Sequence, residues 1–210
     1  DGGGLYVWNT DTGVIEEAGF VQDAHALTFS PDGETLAVAS GKAIALLDAR
    51  TRQRLHYLKH TDAVFKMAFS PDSRTLVSSG FDQKGRIWDV KTGGLRHDLG
   101  DVGEFHAVWF DFDGKTLVTA TNSVSIDFWD LTSGALRHRI DHGPGVVMVA
   151  ACSPNGTALA RAGDDLVDTA VKLIDARTCD IQHVFDLEPQ RVQDMRFSLD
   201  GSTMASNTED

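Results

Sequence analysis

The chain of 210 residues has few cysteines, few prolines and no long apolar run. Its two cysteines, Cys152 and Cys179, provide neither a disulfide framework nor a metal-binding spacing, so we expect a reducing, cytoplasmic compartment. The longest fully apolar segment, residues 146–152, is far shorter than a membrane-spanning helix requires. No charged and apolar leader is visible at the start, and no signal peptide is expected.

Basic residues are also scarce. Nineteen Lys and Arg stand against 31 Asp and Glu, which gives a formal net charge of −12. A protein that binds a phosphate backbone must replace counterions with Lys and Arg, so direct nucleic-acid binding is not expected. With 41% hydrophobic and 24% charged residues, the composition is that of an ordinary core-forming protein. No phosphate-cradling glycine loop is present, and we expect no cofactor.

What the chain does contain is a repeat of about forty residues. One segment, F-S-P-D-G-x-T-L in its fullest form, recurs with its first residue at Phe29, Phe69, Phe110, Cys152 and Phe197, separated by 40 to 45 positions. A second position, usually a tryptophan or an aliphatic residue, recurs with a similar spacing at Trp8, Leu47, Trp88, Trp129 and Ile174. Because both sets of positions recur with nearly the same spacing, they predict a tandem array of one supersecondary unit.

Each unit contains the signals of four short strands. The Pro-Asp-Gly segment predicts a turn after the first strand, and the second strands are predicted at Thr35–Ala39, Thr75–Ser79 and Thr116–Ala120. The third strand closes on an aromatic-acid pair, and a Thr-Gly or Ser-Gly turn leads to the fourth. Short strands bounded by turn signals predict an antiparallel, all-β unit.

The pairs Trp88-Asp89 and Trp129-Asp130, in this repeat, resemble the WD40-repeat family. The resemblance extends over essentially all of the chain and implies a β-propeller, in which four-stranded blades surround a channel. It places a single array over residues 1–210. The expected blades are residues 1–18 (half), 24–58, 63–99, 104–140, 146–185 and 191–210 (half).

The two half-blades leave two interpretations open. The outer strands at the start and the inner strands at the end can pair and close a five-bladed ring. Alternatively, the chain is an open arc of a larger propeller. The first residue is Asp1 and not Met, which favours an arc from a larger regulatory or multidomain protein.

One cluster has the residue types of a hydrolase triad: His60, Ser78 and Asp82. Their positions match instead the family's structural tetrad, which Trp88 completes and in which buried polar side chains satisfy one another. No nucleophile elbow surrounds Ser78. We therefore interpret the four residues as structural and not catalytic.

A second set of candidates lies near the beginnings of the first strands. Exposed aromatic residues close to a concavity mark interfaces, and packing between blades is the alternative interpretation. The possible partner contacts are His25, Phe65, Phe81, Glu104 and His106.

Two patterns suggest metal binding but have simpler explanations. Four histidines share one position of the fourth strand, where each imidazole is expected to lie over its neighbour's edge: His56, His97, His138 and His183. Three acidic residues, Asp164, Asp165 and Asp168, lie in a lengthened turn whose spacing matches no known calcium loop. We expect no metal site in either place.

The function expected from these features is a non-catalytic scaffold that binds a protein or peptide. The alternative is a propeller enzyme, either quinoprotein-like or a metal-dependent lactonase or hydrolase. Its site would lie at the channel mouth, where only Asp23, His25, Glu104 and His106 suggest it. A regulatory array attached to a kinase or protease domain is compatible with the scaffold.

Overall fold

The computed structural model describes most of the chain. The described residues are 5–8, 12–13, 15–17, 24–103, 105–110, 114–121, 125–141, 147–153, 157–163, 170–176, 178, 180–186, 191–198 and 200–209. Within these ranges the chain forms strands and no helix, which confirms the predicted all-β class.

The strands are short and regularly spaced. Their bounds are β1 Tyr6–Trp8, β2 Ile15–Glu17, β3 Ala24–Phe29, β4 Thr35–Ser40, β5 Ala43–Asp48, β6 Arg54–Lys59, β7 Val64–Phe69, β8 Thr75–Gly80, β9 Lys84–Asp89, β10 Leu95–Asp101, β11 Phe105–Phe110, β12 Thr116–Thr121, β13 Ser125–Asp130, β14 Leu136–Asp141, β15 Val147–Cys152, β16 Ala158–Gly163, β17 Val171–Asp175, β18 Ile181–Phe185, β19 Arg191–Phe197 and β20 Met204–Glu209. The predicted second strands are thus found, each one residue longer than expected.

Consecutive strands pair into four sheets of four strands: β3–β6, β7–β10, β11–β14 and β15–β18. Two further sheets contain only two strands each, β1–β2 and β19–β20. This is the predicted propeller class, with four complete blades and two half-blades. Whether the chain closes a five-bladed ring or forms an open arc stays a prediction, as does the single array over residues 1–210.

The chain divides into two compact units, Asp1–Gly100 and Asp101–Asp210. In the first unit, the core lies between sheets β3–β6 and β7–β10. One face of the first sheet supplies Ala37, Ala39, Ile44, Leu46 and Leu58, and the second supplies Val64, Phe69, Leu76, Trp88 and Val90. The opposite face packs on Leu5 beside β1. Because the middle strands β4 and β5 are covered on both faces, their sequences are mostly apolar and do not alternate.

The second unit repeats this packing. One cluster joins Val118 and Phe128 of sheet β11–β14 to Leu159 and Ile174 of sheet β15–β18. Another joins sheet β15–β18 to Val192 and Met195 of β19. Each sheet therefore has its hydrophobic core at the contact with the next sheet in the unit.

The repeated turn motif has a common hydrogen-bond pattern. The hydroxyl of Ser70 donates to Asp72 Oδ1 at 2.6 Å and accepts the backbone N–H of Thr75 at 3.0 Å. The same contacts recur at Ser30, Asp32 and Thr35 and at Ser198, Asp200 and Thr203. The serine thus links both sides of the turn, which explains why Ser and Asp recur at this spacing.

The aspartate of the Trp-Asp pair stabilises the next turn. Asp89 Oδ1 accepts the backbone N–H of Thr92 at 2.8 Å and its hydroxyl at 2.9 Å. Its other carboxylate oxygen accepts hydrogen bonds from Arg96. The Arg96 guanidinium and these Thr92 donors lower the pKa of Asp89 to about 2.

Candidate functional site

The four residues predicted as a structural tetrad lie together at one end of sheet β7–β10. His60 precedes β7, Ser78 lies in β8, Asp82 follows β8, and Trp88 lies in β9. The oxygen of Ser78 is 2.7 Å from His60 Nε2 and accepts the indole N–H of Trp88 at 2.8 Å. His60, Ser78 and Trp88 are all buried.

Asp82 is bound by several donors at once. Its carboxylate accepts the backbone N–H and the hydroxyl of Thr61 at 3.1 and 2.9 Å, and the backbone N–H of Lys84 at 3.2 Å. Arg86 forms an ion pair with it at 2.7 Å. The distance from Asp82 to His60 Nδ1 is longer, 3.3 Å to the nearer oxygen. The carboxylate therefore depends more on Arg86 and Thr61 than on the imidazole.

Arg86 is a member of this cluster that the sequence reasoning did not include. Its guanidinium is buried and hydrogen-bonds His60 Nδ1 as well as Asp82. The available signal was its position, since a residue two before Trp88 on a strand lies on the same face. Arginine is ordinarily a surface residue, so the residue type did not indicate that Arg86 would be buried.

The polar neighbours of His60 act on both of its ring nitrogens. Nδ1 faces the Arg86 guanidinium, which can only donate, and the Asp82 carboxylate, which can only accept, while Nε2 faces the Ser78 hydroxyl. Burial, and next the charge of Arg86, lower the pKa of His60, which favours the neutral imidazole. Burial alone would raise the pKa of Asp82, but the hydrogen bonds from Arg86, Thr61 and Lys84 outweigh it and lower that pKa.

This arrangement differs from a catalytic triad. In a triad the imidazole nitrogen facing the serine is unprotonated and takes the hydroxyl proton. Here the oxygen of Ser78 lies between His60 Nε2 and the indole N–H of Trp88, whose hydrogen bond it accepts. Ser78 has no exposed surface. The cluster can hold the blade together, but it does not present an activated nucleophile.

The proposed contact residues of the first unit meet at the same end. The rings of Phe65 and Phe81 are 5.1 Å apart between centroids, with an interplanar angle of 42°. His25 Nε2 donates to the carbonyl of Val64, the first residue of β7. Phe81 is 58% exposed. Glu104 lies outside the described residues, as does the side chain of His106.

The backbone at this end is closely packed. The N–H of Phe81 donates to the carbonyl of Ala63 at 2.8 Å. A Cβ at Gly80 would lie 2.4 Å from the same carbonyl oxygen, so only glycine allows the two segments to approach. Gly80 therefore positions the aromatic pair.

Comparisons with known proteins agree with the repeated four-stranded sheets of the structure. Residues 52–89 match the family described as WD domain, G-beta repeat. The chain is 42% identical over 77 residues to an uncharacterized WD repeat-containing protein from Synechocystis, covering 36% of this chain and 22% of that protein. It is 37% identical over 94 residues to human Transducin beta-like protein 3, covering 42% and 12% respectively. The chain therefore resembles the WD40-repeat family, whose repeat model matches residues 52–89.

A solved structure shows the same fold across nearly the whole chain. A chain in the Crystal Structure of Mitotic Checkpoint Complex superposes with a TM-score of 0.83 at 20% identity, over 99% of this chain and 65% of that one. The present chain thus spans less than a quarter of the two curated relatives and about two thirds of the solved chain. At this identity the likeness concerns the fold alone.

The other WD40 blades have different polar groups at the tetrad positions. In sheet β11–β14, Trp129 donates to the hydroxyl of Thr119 at 3.0 Å. Asp127 occupies the position of Arg86 and accepts two hydrogen bonds from Arg139, at 2.7 and 2.8 Å. In sheet β15–β18, Arg161 and Ile174 stand at the serine and tryptophan positions and are buried.

The repeated histidines of the WD40 blades lie against neighbouring groups. His56 Nε2 donates to the carbonyl of Lys91 at 2.9 Å, and its ring lies against Gly93 in the next blade. His138 and His183 contact the rings of Phe128 and Phe185 respectively. His56 therefore lies over the neighbouring blade as expected, whereas His138 and His183 contact rings of their own sheets.

Among the described residues, no group of three or more His, Cys, Asp or Glu is placed to hold a metal ion. Asp164, Asp165 and Asp168 lie outside the described residues. The part of the chain that is described contains no helix long and apolar enough to cross a membrane.

Proposed function

We propose that this chain is a non-catalytic scaffold that binds a protein or peptide through the aromatic end of its first unit, defined by His25, Phe65 and Phe81. The observation that carries the proposal is the exposed Phe81 ring packed on Phe65. Such a ring offers a large apolar contact, and aromatic anchors dominate the energy of protein interfaces.

The aromatic end is held in place before any partner arrives. The turn after β8 is closed by a hydrogen bond from Gln83 N–H to the carbonyl of Gly80 at 3.0 Å. Asp82, adjacent to Phe81, is bound by Thr61 and Arg86. A preorganised contact loses little conformational entropy on binding, which increases affinity.

Polar groups border this surface. Lys42 donates to the carbonyl of Thr61 at 3.0 Å and lies 3.6 Å from Asp62. Both side chains of this ion pair are largely exposed. An apolar centre beside exposed charges is the usual arrangement of a protein interface.

The relatives favour assembly over catalysis. The similar solved chain comes from the structure of a complex. Ser78 is buried, hydrogen-bonds His60 and accepts the indole N–H of Trp88, which argues against hydrolysis at the tetrad. We infer that His60, Ser78, Asp82 and Trp88, together with Arg86, stabilise the blade that presents Phe81.

Peptide selection tests the proposal. A displayed peptide library is selected on the purified chain, and the enriched peptides are then titrated against Phe81→Ala and Phe65→Ala. We expect at least about a tenfold loss of affinity for Phe81→Ala, because truncation of a central aromatic anchor has an effect of this size.

Tyr57→Ala is the matched control, since Tyr57 is an aromatic residue of similar exposure on β6. It should leave binding unchanged. Thermal melting should show that all three variants remain folded. Equal binding by the wild type and Phe81→Ala, or failure of the library to enrich any peptide, would contradict the proposed surface.

A further inference from the structure

The outer strand of the first four-stranded sheet, β6, has an open edge. Among the described residues, β6 pairs with β5 on one side and has no partner strand on the other. The N–H of His60 donates to the carbonyl of Lys42 at 2.8 Å, so the backbone groups of His60 face β5. In an antiparallel pair, alternate residues turn these groups toward and away from the partner. Tyr57 and Lys59 therefore direct their N–H and C=O groups to the open side, where another strand can add.

The side chains along this edge are apolar at the centre and basic at both ends. We define the β6 edge as Arg54, Leu55, Tyr57 and Lys59, all of which are exposed. Tyr57 is 56% exposed and Leu55 is 47% exposed. The Arg54 guanidinium lies 5.8 Å from the centre of the Tyr57 ring, within the range of a cation–π contact. An apolar surface thus lies between two cations.

The charge of this segment is opposite to that of the whole chain. Residues 50–59 contain four Lys and Arg and no Asp or Glu, in a chain with 19 Lys and Arg against 31 Asp and Glu. The adjacent strand β5 contains a single charged residue, Asp48. One oxygen of this carboxylate accepts hydrogen bonds from the backbone N–H groups of Arg50 and Thr51 and from the Thr51 hydroxyl. The β6 edge is therefore a basic patch on an acidic chain.

The equivalent strands of two other sheets carry arginines that are paired within their own sheet. Arg96 of β10 forms an ion pair with Asp89, and Arg137 of β14 forms one with Asp130. These aspartates already neutralise the two cations. The edges of β10 and β14 consequently offer less positive charge to a partner than their sequences suggest.

The β6 edge departs from that pattern. Leu55 occupies the position of Arg96 and Arg137 in the repeat, seven residues after the aspartate that closes the third strand. Within the part of the chain that the structure describes, neither Arg54 nor Lys59 forms an ion pair. Their charges are therefore open to carboxylates from another molecule.

We propose that the β6 edge binds an extended acidic segment of another protein by strand addition. The segment pairs with the outward N–H and C=O groups of Tyr57 and Lys59. Its carboxylates lie against Arg54 and Lys59, and the methylene groups of its side chains pack on Tyr57 and Leu55. Strand addition takes its affinity from main-chain hydrogen bonds and its specificity from alternate side chains. Charge complementarity accelerates the encounter and disfavours basic partners.

Fluorescence polarisation with a synthetic probe tests the proposal. The probe is a labelled peptide with capped ends, as long as β6, in which glutamate alternates with valine. The same peptide with glutamine in place of glutamate is the control, because it keeps the size of the side chains and loses their charge. We expect the glutamate peptide to bind the purified chain, and to bind more weakly at high salt, since exposed charges are screened. The glutamine peptide should bind at least about tenfold more weakly.

Charge reversal on the edge provides a matched pair of variants. Lys59→Glu should weaken binding of the glutamate peptide by at least about threefold, because an attractive contact becomes repulsive. Adding Arg54→Glu should weaken it further. Arg74→Glu makes the same change of charge at an exposed residue in the turn between β7 and β8, and should leave binding unchanged. Thermal melting should show that all these variants remain folded.

The β6 edge shares no residue with the aromatic end, and two variants separate the surfaces. Tyr57→Ala should weaken binding of the glutamate peptide, whereas Phe81→Ala should not. The reverse is expected for the peptides selected on the aromatic end. Either proposal can therefore fail without the other.

Amide hydrogen exchange followed by NMR tests the strand pairing itself. On addition of the glutamate peptide, the amides of Tyr57 and Lys59 should exchange more slowly, because they acquire acceptors. The amides of His56 and Leu58, which face β5, should change little. The strand thus contains its own control.

Several results would overturn the proposal. One is equal binding, or no binding, by the glutamate and glutamine peptides. Binding that leaves the Tyr57 and Lys59 amides unprotected, or that a single-stranded oligonucleotide matches in affinity, would mean that the cations attract any polyanion without strand addition. Self-association of the chain that Lys59→Glu abolishes in sedimentation velocity would make a second copy the occupant.

Discussion

The blades β7–β10 and β11–β14 both bury a third-strand tryptophan, but they surround it with different polar groups. In both, a third-strand tryptophan donates its indole N–H to a hydroxyl on the second strand, Ser78 in one and Thr119 in the other. Two residues before the tryptophan, the first blade has buried Arg86 and the second has buried Asp127. The charge at this position is reversed, and its partner changes with it.

The partners come from different parts of the blade. Arg86 pairs with Asp82 in the turn after β8, whereas Asp127 pairs with Arg139 on β14. The first blade thereby ties its turn to the strands, and the second ties two strands to each other. The two blades therefore share the hydrogen bond from tryptophan to a hydroxyl. They differ in the partner of the buried charge, which lies in a turn in the first blade and on the fourth strand in the second.

The largest expected effect comes from removing Arg86. Arg86→Met should lower the free energy of unfolding by about 3–5 kcal/mol, because it leaves the buried Asp82 carboxylate without its cation. Urea denaturation provides the measurement. Arg96→Met in the same blade is the control, since its ion pair with Asp89 is more exposed and should contribute less than about 1 kcal/mol.

Equal effects of Arg86→Met and Arg96→Met would show that the buried pair is not what distinguishes the first blade. Hydrogen exchange of β8 amides would then show whether the blade had relaxed around the cavity. Protection unchanged from the wild type in Arg86→Met would contradict the stabilising role assigned to the cluster.

A smaller effect is expected from the two hydroxyls. Ser78→Ala leaves both His60 Nε2 and the indole N–H of Trp88 without a hydrogen-bond partner, and should destabilise the protein by about 2–3 kcal/mol. Thr119→Val removes the acceptor of Trp129 alone and should destabilise it by about 1–2 kcal/mol.

Thr119→Ser, which keeps the hydroxyl, should lie close to the wild type in the same urea experiment. If Thr119→Val destabilised the protein more than Ser78→Ala, the first blade would not be the more strongly coupled of the two.

The smallest effect concerns pH. The pKa of His60 is lowered from its usual 6.5, so the unfolded chain takes up a proton below pH 6.5 that the folded chain does not. The stability due to the neutral imidazole is therefore fully present above pH 6.5 and is lost as the pH falls toward the lowered folded value. The blade β11–β14 has Asp101 at this position and should show no such change.

Hydrogen exchange at pH 7.5 and pH 5.5 separates the two blades. Protection of β8 should fall between these pH values in the wild type, and fall less in His60→Gln. A decrease of the same size in β12 would contradict the assignment of the change to His60.

Much of the first blade was predictable because its information is local. The serine and aspartate of the turn, the Trp-Asp pair and the strand lengths follow from contacts between residues a few positions apart. The four tetrad residues were predicted from the resemblance, because their positions in the repeat match those of the family's structural tetrad. Arg86 was missed because a long side chain can reach several partners, and only the packed blade shows which one it meets.

By itself, the sequence determined the repeat, the strand order and the all-β class, since turn chemistry and apolar periodicity act over short distances along the chain. The tertiary structure decided which polar groups are buried and how they are paired. These properties depend on what lies beside a strand, and a neighbour across a sheet interface is set by packing and not by chain order.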